Sequence, residues 1–312
     1  MKNRDITFAT ILLALGFLAL SPMAQAVVPA PDGGYPGGNT AEGTSALLSR
    51  TTGLYNTAIG IYSVLSLTDG NFCTGVGAGT LLSNTADQNT ATGAGALLSN
   101  ITGTDNTADG AFALFSNTAA GNTAVGASAL QNNTTGGTLG NIQGIDVGPN
   151  VAVGWQALES NTIASANTAV GYQALHSFTT GPVGFEQLGL CTAVGFQALA
   201  NATGFGAGNS GIGYQALMNN TDGSGNIAIG VQALFGNTTG SGNVAVGNNT
   251  LLHNDTDGNN MAVGFGALEN NIAGNDNVAI GQHALGANNS GNTGGANIGG
   301  GCLCGQQRHH SY

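Results

Sequence analysis

A nine-residue motif, Asn-[Thr/Val/Ile]-Ala-[Val/Ile]-Gly-x-x-Ala-Leu, returns along almost the whole chain. Clear copies begin at Asn167, Asn226 and Asn277, with their glycines at Gly171, Gly230 and Gly281 and their leucines at Leu175, Leu234 and Leu285. The fifth-position glycine occurs 14 times, from Gly43 to Gly281, and most neighbouring copies are 17 residues apart. A short fixed period of this kind is the mark of a solenoid, in which each repeat is one coil that buries its apolar side only by stacking on the next. Positions are numbered below from the motif asparagine.

Positions two and four are mostly β-branched with Ala between them, an alternation that predicts a short strand. Read by hydrophobicity, it points the two β-branched side chains inward. The glycine then permits a turn or a close backbone approach that a Cβ would block. Ala-Leu follows, with Leu at position nine in 13 of 14 copies and Val64 as the exception. This predicts a second short strand and a second inward residue. Runs such as Asn237-Thr-Thr-Gly240 close the coil as polar turns. The expectation is all-β: a left-handed parallel β-roll or β-helix solenoid of about 14 coils, with two facing sheets. At about 4.8 Å per stacked strand, the body would span roughly 60–70 Å. Asn fills position one in 12 of 14 copies, the exceptions being Cys73 and Cys191. Stacked amides can hydrogen-bond up and down such a ladder.

Composition narrows the partners. Charged residues make up 6% of the chain, the formal charge is -11, and the repeats hold one Arg, Arg50, and no Lys. Phosphate binding needs clustered Lys and Arg, so nucleic acid and anionic membranes are poor partners. At 41% apolar residues placed periodically, the chain also lacks the profile of a disordered one.

Residues 1–26 read as a secretory signal peptide: Lys2 and Arg4, an apolar run from Phe8 to Leu20, then Ala24-Gln25-Ala26. This implies export and placement at the cell surface or outside the cell. Residues 27–38 read as a Pro/Gly-rich leader, 39–301 as the repeat domain and 302–312 as an irregular tail.

The motif, as in Asn226-Ile-Ala-Ile-Gly230 and Asn277-Val-Ala-Ile-Gly281, resembles the head-domain repeat of YadA-like trimeric autotransporter adhesins, in a variant with a 17-residue period. The resemblance spans about Asn39 to Gly301. It implies a left-handed β-roll, assembly as a homotrimer and display at a bacterial surface. A glycan or an extracellular-matrix or cell-surface protein would be the target. No integral membrane anchor is expected in this chain.

Within the repeats, position six carries Trp155, Tyr172, Phe196 and Tyr214 in successive coils, each followed by a glutamine: Gln156, Gln173, Gln197 and Gln215. In register these form an aromatic stripe beside a Gln ladder. Aromatic faces with amides suit sugar stacking or a protein contact; alternatively the rings pack on each other or against neighbouring chains of a trimer. Glu42 and Asp109 fall at position four, where an inward carboxylate would be costly. His176, His253 and His283 read as isolated, and no Ser-His-Asp spacing occurs. Asp255-Thr-Asp257-Gly-Asn259 lacks the terminal Glu of a calcium loop. Two long intervals, including Gly136–Pro149 and His176–Leu190, read as surface insertions, either binding loops or tolerated drift. Threonines at position two, Thr40, Thr57, Thr74, Thr90, Thr107 and Thr123, form a row of the sort that could match ice, but inward pointing would hide it.

These residues nominate no catalytic group, metal or cofactor. The expected function is non-enzymatic: an adhesin-head-like body offering multivalent surface contact. The alternative is a structural fibre or tail-fibre-like shaft that acts as a spacer.

Overall fold

The computed structural model describes residues 34–138, 140–142, 145–179, 188–203, 206–272, 274–286 and 297–300. The signal-peptide reading of residues 1–26 and the tail 302–312 lie outside the described residues. The strands are β1 (Gly34–Tyr35), β2 (Asn39–Glu42), β3 (Thr57–Ile59), β4 (Thr74–Val76), β5 (Thr90–Thr92) and β6 (Thr107–Asp109). Then come β7 (Thr123–Val125), β8 (Gly140–Ile142), β9 (Ile145–Val147), β10 (Val151–Val153), β11 (Thr168–Val170) and β12 (Thr192–Val194). The series closes with β13 (Ser210–Ile212), β14 (Ile227–Ile229), β15 (Val244–Val246), β16 (Met261–Val263), β17 (Val278–Ile280) and β18 (Ile298–Gly300).

The chain is an all-β solenoid of about 14 turns, with no helix among the described residues. Fifteen strands, β2–β7 and β10–β18, run parallel in one sheet in chain order, and β1 adds an antiparallel edge. Every rung is in register: Thr168 opposes Val151 and Thr192, and Val170 opposes Val153 and Val194. Tyr35 pairs with Asn39, so the end of the Pro/Gly-rich leader belongs to the sheet. The first insertion forms the hairpin β8–β9, whereas residues 180–187 of the second lie outside the described residues.

Two expectations are corrected. First, the strands have the opposite polarity. Ala169 and its equivalents at position three are buried, while Thr168 and Val170 face outward. The interior is too thin for more. Most coils fill it with Ala at positions three and eight and Leu at nine, as in Ala169, Ala174 and Leu175, all buried; Ser63, Thr80 and Thr250 take position eight in three coils. Where Val64 replaces that leucine, position three of the next coil is Gly75. A Cβ there would lie 2.7 Å from a Val64 methyl. Close-packed interiors leave no slack for an added methyl at such distances. Glu42 and Asp109 therefore face outward, and the sheet passes through Asp109 in register.

Second, Ala-Leu forms no second strand. Positions seven and nine both take left-handed backbone, Gln173 and Leu175 each at φ 52°. A non-glycine residue there costs about 1–2 kcal/mol. Rung-to-rung bonds offset the cost: Leu175 N donates to the Ala198 carbonyl at 3.0 Å, and Ser177 N to the Ala200 carbonyl at 3.0 Å. The side opposite the sheet is thus a ladder of turns. The preceding glycine is obligatory. Gly171 sits at φ 135°, and a Cβ on it would lie 2.3 Å from the Gly195 carbonyl oxygen.

Asparagine closes each coil. The expected ladder at position one is present: Asn167 N donates to Asn150 Oδ1 at 2.9 Å, and Asn56 N to Asn39 Oδ1 at 2.8 Å. A second buried ladder occupies position twelve, where Asn100, Asn117, Asn133 and Asn161 each donate to the Oδ1 one coil back. The ladders converge, since Asn89 and Asn100 Nδ2 both reach the Gly103 carbonyl at 2.8 Å. These amides satisfy the carbonyls of a turn that is buried between coils, where an unpaired group would be costly.

Candidate functional site

With the interior filled by Ala, Leu and Asn, the β-branched residues make an outer face. At position four, Val125, Val153, Val170, Val194, Ile212, Ile229, Val246, Val263 and Ile280 form an unbroken column of exposed or half-exposed apolar side chains. Position two runs beside it. From β10 onward it is mixed but largely apolar, with Val151, Ile227, Val244, Met261 and Val278. Contiguous exposed apolar surface of this extent marks a contact site on a soluble protein.

Beyond the glycine, position six carries the aromatic stripe, and the structure brings its four rings together. Trp155 stacks on Tyr172 at 5.0 Å between ring centroids, Tyr172 on Phe196 at 4.9 Å, and Phe196 on Tyr214 at 5.3 Å. The interplanar angles are 23°, 6° and 11°, so each ring covers its neighbour's face. The rings remain 41–47% exposed and present their edges. Sugar stacking needs an open ring face. The rungs beyond Trp155 and Tyr214 hold Ala127 and Val231, so open faces remain only at the two ends of the stripe.

Each glutamine beside a ring bonds to the one before it: Gln173 Nε2 donates to Gln156 Oε1 at 2.9 Å, Gln197 to Gln173 at 3.1 Å and Gln215 to Gln197 at 3.2 Å. Gln232 extends the row at 3.1 Å. These amides spend part of their bonding capacity on one another and leave the rest at the surface. Asn167, Gly171, Leu175, Asn226, Gly230, Leu234, Asn277, Gly281 and Leu285 hold the coils in register beneath this surface.

The other candidates resolve into structural roles. His176 is not isolated: its Nε2 meets Glu159 Oε2 at 2.9 Å, one coil back. His283 lies 3.9 Å from Glu269 and edge-on to Phe265. Asp257 Oδ2 accepts from Gly274 N at 3.0 Å, and Asp255 accepts from the Thr238 hydroxyl, so both carboxylates tie coils together. Among the described residues, no three metal-ligating groups cluster. Cys73 and Cys191 are free and buried. Burial pushes the Cys191 thiol up to about 11, and the Cys73 thiol in the same direction. Among the described residues, no helix is long and apolar enough to cross a membrane.

Sequence reasoning missed the position-twelve ladder and the outward apolar column. The first was visible as Leu-x-x-Asn in most copies, the second as the fixed Ala or Gly between variable neighbours. Comparison with protein-family models, with curated proteins and with solved structures gives no match.

Proposed function

We propose that this chain is an exported, non-enzymatic surface protein whose solenoid is an adhesin-head-like body, making repeated contacts along its outer sheet face and its aromatic corner. The observation that carries this reading is the unbroken position-four column from Val125 to Ile280, apolar and outside a body whose interior is already full. A chain with 6% charged residues keeps such a surface where a partner covers it. The partner that fits is a second and third copy of the chain. Identical columns of equal length would lie side by side, and the Trp155–Tyr214 edges and Gln rows would rim the contact. Each coil adds a small equal increment, so affinity for a repetitive glycan or matrix surface would build by multivalency.

The test is self-association of the purified protein compared with a variant carrying Val194→Lys and Ile229→Lys. Both substituted side chains point away from the core. Loss of the oligomer with an unchanged circular dichroism spectrum supports the reading. Unchanged mass, or catalytic turnover of a glycan by the purified protein, overturns it.

A further inference from the structure

The outer face is not uniform, and its N-terminal half is built of threonine. In β3–β7 position two is Thr57, Thr74, Thr90, Thr107 and Thr123, each the direct Cα partner of the next. All five side chains point outward and are exposed or half-exposed. Parallel pairing without a register slip spaces this rank at about 4.8 Å, with position four about 6.6 Å away along each strand. The companion residues are Ile59, Val76, Thr92, Asp109 and Val125. Thr-x-[Ile/Val/Thr] strands therefore present paired methyls and hydroxyls on a grid that keeps register from rung to rung. The same pattern returns in β11 and β12 as Thr168-x-Val170 and Thr192-x-Val194.

The fold does not use these hydroxyls. Among the described residues, those of Thr57, Thr74, Thr90, Thr107 and Thr123 have no hydrogen-bond partner in the protein. A second column of threonines, in the turns, shows the contrast. Thr51, Thr85, Thr118 and Thr134 each donate Oγ1 to a carbonyl of the next coil, at 2.8–3.1 Å. Strand packing needs no hydroxyl at position two either, because Val151, Ile227, Val244 and Val278 fill it elsewhere. The hydroxyl rank is thus surplus to stability, regularly spaced and free to bond outward.

We infer that the β3–β7 face binds ice. The threonine methyls and the neighbouring Ile and Val seat ordered water, and the hydroxyl rank anchors it at a spacing close to the oxygen repeat of the ice surface. The occupant must be a neutral, rigid lattice. Charge on this half of the face is confined to Glu42 and Asp109, and the rank offers one repeated neutral group at a fixed spacing with no large aromatic or Arg anchor of the kind a protein partner takes. Asp109 holds hydration water tightly in the middle of the grid and is its one defect from β3 to β7.

The experiment measures thermal hysteresis and ice-crystal shape with the purified protein. The native protein is expected to facet growing crystals and hold a hysteresis gap. Thr90→Tyr and Thr107→Tyr, which place bulk on the outward face, are expected to reduce both to the level of buffer. Thr102→Tyr, on an exposed turn, should leave them unchanged, and Asp109→Val should widen the gap. Circular dichroism of each variant checks the fold. Absence of any ice effect in the folded native protein overturns the inference. So do equal losses in face and turn variants, or face-dependent binding to crystalline polysaccharide without any effect on ice. The ice face and the self-association column share only β7 (Thr123–Val125): a monomer that shapes ice, or an oligomer that does not, separates the two.

Discussion

Asn161 Oδ1 is buried without a hydrogen-bond partner because the equivalent residue one coil on is Phe178. Donation in the position-twelve ladder runs one way, each Nδ2 reaching the Oδ1 of the previous coil, so a non-donor strands the acceptor before it. The row resumes at Asn220, and Asn237, Asn254 and Asn271 continue it. The break, at Phe178 and Ala202, flanks the second long interval; across the first the row is intact, with Asn161 donating to Asn133 at 2.6 Å.

The ladder predicts unequal costs for one substitution. Asn117→Ala removes donors to Asn100 Oδ1 and the Ala119 carbonyl, and takes one acceptor each from the amides of Asn122 and Asn133, which keep the Gly136 carbonyl. Asn161→Ala removes donors alone, since its acceptor already stands unused. Asn117→Ala should therefore cost about 1–2 kcal/mol more than Asn161→Ala, read as a difference in urea unfolding. Equal costs would mean that the rows are not coupled.

Strand polarity makes a second prediction. Thr168→Val changes an outward side chain and should alter stability by less than about 0.5 kcal/mol. Ala169→Val drives two methyls into a filled interior and should cost about 1–3 kcal/mol or more. The reverse order would put the β-branched residues back inside.

Glycines divide by what lies above them. Gly171→Ala meets both a backbone φ of +135° and a carbonyl at 2.3 Å, and should abolish folding of the coils around it. Gly225→Ala, at φ +67° with nothing within 4 Å, should cost only about 1–2 kcal/mol. Thermal unfolding followed by circular dichroism distinguishes the two.

The buried thiol gives a pH window. Cys191 ionises near 9.0 when unfolded and near 11 in the folded chain, so its contribution is complete below pH 9. As pH rises from 9 the unfolded state loses its proton first, and stability falls until about pH 11, where the folded thiol ionises too. The native protein should lose up to about 3 kcal/mol across that window relative to Cys191→Ala. Thiol alkylation located by mass spectrometry should find Cys73 and Cys191 unmodified until the protein unfolds.

Period, register and the position-one ladder were legible because they depend only on spacing: Asn167, Gly171 and Leu175 return in place whichever way the side chains point. Polarity was not legible from hydrophobicity, because a three-residue strand such as Thr168-Ala169-Val170 fits alternation in either sense. The deciding signal lay in variability between copies. Position three is Ala or Gly in all 14, whereas position four accepts Glu42, Asp109, Thr92, Val and Ile. A site that tolerates a carboxylate is outside. The second strand was over-read because Ala-Leu carries no mark of left-handed backbone; tertiary stacking imposes it on Leu175 against local preference. The aromatic stripe was legible in position but not in orientation, since the ring-on-ring geometry of Tyr172 and Phe196 follows from the rung spacing.

The most direct test is the mass of the purified protein by light scattering coupled to size exclusion. A particle of three chains, reduced to one by Val194→Lys with Ile229→Lys, is the result the account predicts. A stable monomer with the position-four column open to solvent would contradict it and leave the solenoid as a spacer.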